Sequence, residues 1–404
     1  MPPRPSRSPR RPRLLAVACL GVLLSACNTS NGDVGSPETV AAAGETVGPF
    51  VQREWGRFEE PWALAFLPDG QLLVTEKPGH LKRVDLSGTT ARIGDITGLP
   101  EVAYGGQGGL GDIALHPDFD RNHLVYISYA EPGDGDTRGA AVARARLKLD
   151  TEGGGELQDV EVIWRQVPKV TGQGHYSHRL LFGPDGHLWV SSGERQKFDP
   201  AQDMASNMGK ILRLDDDGTP VADNPFADEG EVAAQVWSLG HRNVLGIAFD
   251  ADGQLWNHEM GPKGGDELNR VVRGGNYGYP IVSNGDHYDG RPIPDHDTQP
   301  QFNAPVITWT PVISPSGFVI YNGDAFADWN GDGFITGLSS ESLVRVEFDA
   351  DAGAREAERW DMGHRMRGIA QGPQGHLWLI EDGDDARLLE LSPPPPAPAP
   401  AEAD

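Results

Sequence analysis

Six times along this chain a short apolar run leads into a tight Asp/Gly- or Asn-type turn and out again into an alternating strand. The segments are ALAFLPDGQLLVTE (63–76), DIALHPDFDRNHLVYISYAE (112–131), HRLLFGPDGHLWVSSGE (178–194), LGIAFDADGQLWNHE (245–259), GFVIYNGDAFADWNGDGFITG (317–337) and RGIAQGPQGHLWLIED (367–382). Their cores join two β-prone runs through PDG, ADG, NGDG or PQG, the chemistry of a hairpin turn. Most continue with apolar residues at period two, as in QLLVTE, HLWVSS and HLWLIE. Further short strands follow several units, among them HLKRVDL, GKILRLD and SLVRVEF. One such unit cannot bury its apolar faces alone, whereas a ring of them can. The repeat predicts an all-β fold: a six-bladed β-propeller with four-stranded antiparallel blades over residues 47–391, in preference to a sandwich or two unrelated β domains. No long amphipathic helix is visible, and AQDMASN (201–207) has room for only a turn or two.

The first 26 residues read as a leader rather than as part of that ring. Arg4, Arg7, Arg10, Arg11 and Arg13 precede the apolar run LLAVACLGVLLSA (14–26), which has a secretory layout and is short for a membrane span. It ends in Leu24-Ser25-Ala26-Cys27, which resembles a bacterial lipobox, where the cysteine is lipidated and becomes the mature N-terminus. The expectation is an exported chain held at a membrane surface by acyl groups. Cys19 and Cys27 are the only cysteines, so the folded domain carries no disulfide; a chain this long buries enough core without one. Residues 27–46 read as a flexible tether and 392–404 as a Pro/Ala-rich disordered tail. The net charge of -25, more acidic still without the leader arginines, excludes nucleic acid as a partner.

Nucleotide and hydrolase signatures are missing: there is no GxGxxG opening a helix, no GxxxxGK[ST], no HExxH and no GxSxG. The chemistry must come from loops between repeats, the longer ones being 132–140, 195–206, 223–235 and 260–311. His175 precedes a strand and Glu194 follows that strand's hairpin partner, so antiparallel pairing brings them to one edge. A carboxylate on an imidazole fixes its tautomer and raises its basicity, which suits a general base. Arg242 and Asn243 stand before another inner strand as a carboxylate- or carbonyl-binding pair. Arg365 and Arg367 flank Met366, so their side chains share one face of a strand. The loop from Met260 to Glu267 offers free carbonyls and clustered carboxylates, ligands that suit calcium. The glycine run 105–109, with Gln107 inside it, allows close approach of backbone to a neighbour or a flat ligand.

With those residues placed, GQGGLGDIALHPDF, GHYSHRLLFGPDGHLWVSSGE, LGHRNVLGIAFD, GPKGGDELN and GGNYGYP together resemble the signatures of soluble glucose and aldose sugar dehydrogenases that use pyrroloquinoline quinone (PQQ). The resemblance spans almost the whole expected domain in order and implies a six-bladed propeller, in agreement with the repeat count. By position it implies His175 as general base, Glu194 as the acid that orients it, and Arg242 as the cation that stabilises the developing negative oxygen. It implies Gln107, Arg242, Asn243, Arg365 and Arg367 as contacts of the quinone. The carbonyls of Gly261 and Pro262 would be calcium ligands with Asp266 as a nearby acid, and Glu267 and Tyr277 would belong to a separate structural calcium site. Three positions depart from the pattern. Gly174 stands where the glucose dehydrogenase has an aspartate, Ser339-Ser340 where it has a cofactor-contacting lysine, and Gly368 where an acid is common. The first argues against glucose-type substrate placement, and the second implies weaker hold on the cofactor.

The resemblance implies oxidation of an aldose at its anomeric carbon to a lactone, His175 taking the hydroxyl proton while hydride moves to calcium-polarised PQQ. Expected partners are an aldose mono- or oligosaccharide, a quinone or small electron carrier, and the membrane through Cys27. A monomer is expected, since closed blades leave no free sheet edge. Two other classes fit the same ring: a non-catalytic carbohydrate- or protein-binding propeller of the cell envelope, and a calcium-dependent lactonase-like hydrolase. The latter needs a cage of side-chain ligands, where this chain offers backbone carbonyls.

Overall fold

Four of the six turns form the hairpins their residues imply; in the fifth repeat NGDG is not the turn, because residues 321–332, with a one-turn helix at Ala327–Trp329, join Pro315–Ile320 to Gly333–Gly337. Gly70, Gly186, Gly253 and Gly375 take φ of 84, 82, 78 and 76°, a region that favours a residue without a Cβ. They join Pro61–Phe66 to Leu72–Glu76, Ser177–Phe182 to Leu188–Ser192, Val244–Phe249 to Leu255–Glu259, and Met366–Gln371 to Leu377–Glu381, all antiparallel. The second repeat turns differently: a four-residue helix, Phe119–Asn122, ends on His123 at φ 54° and delivers the chain from Leu110–Leu115 into Leu124–Pro132. This computed structural model describes residues 44–349 and 353–395. The leader, Cys27 and the end of the tail lie outside the described residues.

All the regular structure of substance is β, arranged in five sheets of five, eight, four, four and four strands. The first strands of the six repeats, Pro61–Phe66, Leu110–Leu115, Ser177–Phe182, Val244–Phe249, Pro315–Ile320 and Met366–Gln371, pack each against the next and the last against the first. The result is a propeller-like ring whose apolar cores lie between neighbouring sheets. Trp378 and Ile380 pack with Leu64, Leu72 and Val74, and Trp256 packs with Phe318 and Ile335.

Separate four-stranded blades are met only in part. The eight-stranded sheet is two antiparallel runs joined at their outer edges by two parallel pairs, Gly155 with Ile96 and Glu156 with Thr97. Glycine permits that meeting: a Cβ on Gly94 would lie 2.2 Å from the carbonyl oxygen of Gly153. The five-stranded sheet sets Phe50–Phe58 beside Ala386–Ser392, so the start of the domain closes the ring against its end. Outside it runs Glu45–Val47, a strand that begins within the segment expected to be tether. The expected insert 260–311 also holds structure, because Asp266–Arg270 and Ile307–Trp309 complete their sheet. The 132–140 insert shrinks to a turn between Leu124–Pro132 and Arg138–Leu149. Among the described residues no helix is long and apolar enough to cross a membrane.

Arg179 ties the middle of the ring together. From Ser177–Phe182 it donates to the carbonyls of Leu245 at 2.5 Å and Ser316 at 3.2 Å, and lies 3.5 Å from the Asp112 carboxylate. Its guanidinium also sits 3.9 Å from the ring centroid of Trp62. Counting its own, it engages five of the six inner strands.

Two histidines near this axis, His178 and His258, are fully buried, and burial pushes both from 6.5 down to about 3. Nδ1 of His178 and both ring nitrogens of His258 lack a partner among the described residues. The folded state therefore binds fewer protons than the unfolded chain between those values. Their contribution to stability is present above about 6.5 and is lost as pH falls from there toward 3. Urea midpoints should decline steadily across that window, and His258→Asn should flatten the slope. A midpoint independent of pH from 7 to 4 would contradict this.

Candidate active site

The backbone around the third repeat is wound into a left-handed cluster. His175, Ser177 and His178 take φ of 48, 58 and 48°, and Arg195, Gln196 and Phe198 take 59, 58 and 64°. Such conformations are costly for side chains of this size, on the order of 1–3 kcal/mol each, and persist where surrounding contacts hold them. Pairing of Ser177 with Ser192 brings the two stretches to one sheet edge. There Nδ1 of His175 hydrogen-bonds Oε1 of Glu194, a residue with no exposed surface. The other oxygen, Oε2, accepts the Phe198 N–H at 2.8 Å.

Electrostatics set this pair as a neutral imidazole beside a carboxylate. Burial and the nearby positive charge of Arg242 hold His175 below the usual imidazole range, although the Glu194 bond works the other way. Burial alone would raise Glu194, but its bond to His175 and the charges around it bring the carboxyl below the usual value. With Nδ1 engaged, Nε2 is the atom left to take a proton.

The expected neighbours gather around this pair. Oε1 of Gln107 accepts the His175 N–H at 2.7 Å, and Oδ1 of Asn243 accepts from both N–H and hydroxyl of Ser177 at 3.2 Å. The Arg242 carbonyl accepts the Glu194 N–H at 3.0 Å, and its Nη1 donates to the Met260 carbonyl at 2.9 Å. Its Nε is buried with no partner among the described residues. Arg365 and Arg367 do share a face, and one carboxylate holds both: Asp382 accepts from Nε of each at 2.8 Å.

The 260–267 loop is shaped by Asp266, which accepts N–H bonds from Gly261 at 2.9 Å, Ile313 at 2.8 Å and Ser314 at 2.7 Å. Burial nevertheless pushes its carboxyl up to about 6. No donor among the described residues bonds the Gly261 or Pro262 carbonyl. Glu267 and Tyr277 line a small separate cleft with Glu259. The Tyr277 hydroxyl is already committed, donating to the Arg270 carbonyl at 2.5 Å and accepting from Val272 at 3.0 Å. Burial and the Glu259 charge raise the Glu267 carboxyl well above its ordinary range. Among the described residues no cluster of three His, Cys, Asp or Glu side chains is arranged to hold a metal ion.

Two cavities meet at the His175–Ser177 segment. One, of about 380 Å³, is lined by Gln107, Asn243, Met260, Arg365, Arg367 and Asp382, among others. The second, of about 260 Å³, is lined by His175, Glu194, Arg242, Pro262, Tyr279 and Tyr288, among others. The first offers two arginine side chains and polar edges to a ligand; the second leaves room for a small polar molecule beside the His175 imidazole. Sequence reasoning missed Asp382 and the aromatic wall of the second cavity. Asp382 had a signal: five of the six repeats end in an acid, at Glu76, Glu131, Glu194, Glu259 and Asp382.

The Glucose / Sorbosone dehydrogenase family matches residues 58–390. The aldose sugar dehydrogenase YliI of Escherichia coli is 35% identical over 343 residues, covering 83% of this chain and 91% of that protein. A crystal structure of a glucose dehydrogenase superposes with a TM-score of 0.79 at 37% identity, covering 84% of this chain and 98% of the other. The PQQ-bound aldose sugar dehydrogenase of Streptomyces coelicolor superposes with a TM-score of 0.69 at 30% identity, covering 86% and 99%.

Proposed function

Because this chain belongs to the glucose/sorbosone dehydrogenase family, we propose that it oxidises aldose sugars at the anomeric carbon to lactones, using PQQ and calcium and passing electrons to a quinone or other carrier. One observation carries this reading: the segment that presents His175 to one cavity forms, with Gln107 and Asn243, a wall of the other. A sugar and a flat cofactor on either side of that segment would share a boundary at the base.

The residues lining the two cavities fit PQQ and calcium. Among the described residues no donor bonds the Gly261 or Pro262 carbonyl, as expected of calcium ligands, and Asp266 holds their loop. Gln107, Asn243, Arg365 and Arg367 line the larger cavity as donors for the cofactor's carboxylates and carbonyls. When bound, PQQ supplies the two-electron acceptor and calcium the charge that polarises it. Nε2 of His175 takes the anomeric hydroxyl proton, Glu194 stabilises the imidazolium that forms, and Arg242, which lines the same cavity, would stabilise negative charge that develops on the cofactor. The Asp382 clamp keeps both arginines extended along one face, ready for an anion.

We read the ring as six blades, the eight-stranded sheet counting as two, and the protein as a monomer. The leader and Cys27 point to a lipid-anchored protein of the cell envelope. Purified protein given PQQ and calcium should reduce an artificial electron acceptor when supplied with aldoses. A folded chain that reduces no dye with any aldose would instead support the non-catalytic, carbohydrate- or protein-binding reading.

A further inference from the structure

The mouth of the His175 cavity carries aromatic surface that the chemistry above leaves unused. Phe198 is 42% exposed and Tyr288 74%, yet both line this cavity. Phe198 lies nearly parallel to Tyr279, with ring centres 6.3 Å apart and planes at 26°, and meets His287 edge-on at 5.9 Å. Its φ of 64° is strained for a bulky residue, and its N–H is fixed to the carboxylate that also holds His175. The open ring is thus positioned by the catalytic pair itself. Next to Tyr288 in sequence and also lining the cavity, Asp289 accepts from Nε of Arg291 at 2.8 Å, a polar pair at the lip.

A pyranose needs this combination, because it presents an apolar C–H face to an aromatic ring and a girdle of hydroxyls to polar groups. The cavity, about 260 Å³, lies below the ~300 Å³ at which pockets for larger ligands begin. It has room for one reacting ring, so a further ring would lie toward the exposed faces of Phe198 and Tyr288. The Arg242 guanidinium, 6.0 Å from the Tyr288 ring centre, marks where the two regions join.

We infer that Phe198 and Tyr288 form a second sugar subsite, which takes the pyranose next to the one being oxidised in an aldose oligosaccharide. The inference rests on the dehydrogenase reading, since His175 fixes where the first ring sits. The test is calorimetric titration of the full chain without cofactor, using maltose and glucose as probes, followed by KM for both sugars after reconstitution. Wild-type protein should bind maltose about tenfold more tightly than glucose, the scale of one good ring stack. Phe198→Ala with Tyr288→Ala should bring the two affinities together, and Phe198→Leu, which keeps bulk without the aromatic face, should lose most of the preference. Equal affinities in the wild type, or a preference that survives in the double variant, would overturn the subsite. Dye reduction with equal KM for both sugars sinks the subsite alone. A chain that prefers maltose but reduces no dye sinks the dehydrogenase reading instead.

Discussion

Replacing His175 with alanine should lower kcat by about 10²–10⁴-fold, the usual contribution of a positioned general base. Cofactor binding should largely persist, because the contact of this segment with Gln107 is made by the backbone N–H rather than by the imidazole. The drop should appear equally in kcat and kcat/KM, as for an interaction made only in the transition state. In the parent protein, the acid limb of kcat/KM should lie below pH 6.5. Burial and Arg242 hold the imidazole below that value, and it is competent as a base only when neutral. Stopped-flow reduction of bound PQQ by sugar reads the chemical step directly. A variant that reduces its cofactor at the parent rate would remove His175 from the mechanism.

Arg179→Leu should be the most destabilising single change in the inner ring, costing about 3–5 kcal/mol, the scale seen when one partner of a buried ion pair is removed. Asp112 would then remain in a site whose burial already raises its carboxyl even with the arginine present. Two backbone carbonyls, of Leu245 and Ser316, would lose their donor in the same step. The cost is best read as a fall in the urea midpoint of cofactor-free protein. Asp112→Asn in the same background should recover part of the loss, since an amide is cheaper to bury than an unpaired carboxylate. A fall below about 1 kcal/mol would mean that the axis repacks without this residue.

The hairpins were legible because their turn residues carry a backbone requirement that few other sequences satisfy. Gly70, Gly186, Gly253 and Gly375 announce their conformations locally. The outer strand DELNR (266–270) has no such marker and only one apolar residue, so the sequence reads as loop until its sheet neighbours are known. The edge pairing at Gly155 and Ile96 is likewise a meeting of distant segments with no local signature. Within the site, His175 and Glu194 could be paired on paper because they cap the two ends of one antiparallel hairpin. The Asp382 clamp was hidden by its resemblance to a surface acid, although it is held below the usual carboxylate range: burial acts against that, but the two arginines outweigh it. Phe198 and Tyr288 stayed unread because loop aromatics look alike whether they face a core or a cavity mouth.

Pairing of Phe50–Phe58 with Ala386–Ser392 gives this protein a fastener that only a finished chain can engage. Bringing together segments about 330 residues apart costs on the order of 5 kcal/mol in chain entropy from the length dependence alone. Until the last strand emerges from synthesis, the growing arc displays an open hydrogen-bonding edge at each end, the kind of surface that recruits neighbouring chains. A fragment missing either end would stay in that sticky condition. A copy truncated at either end would keep those edges open and should aggregate.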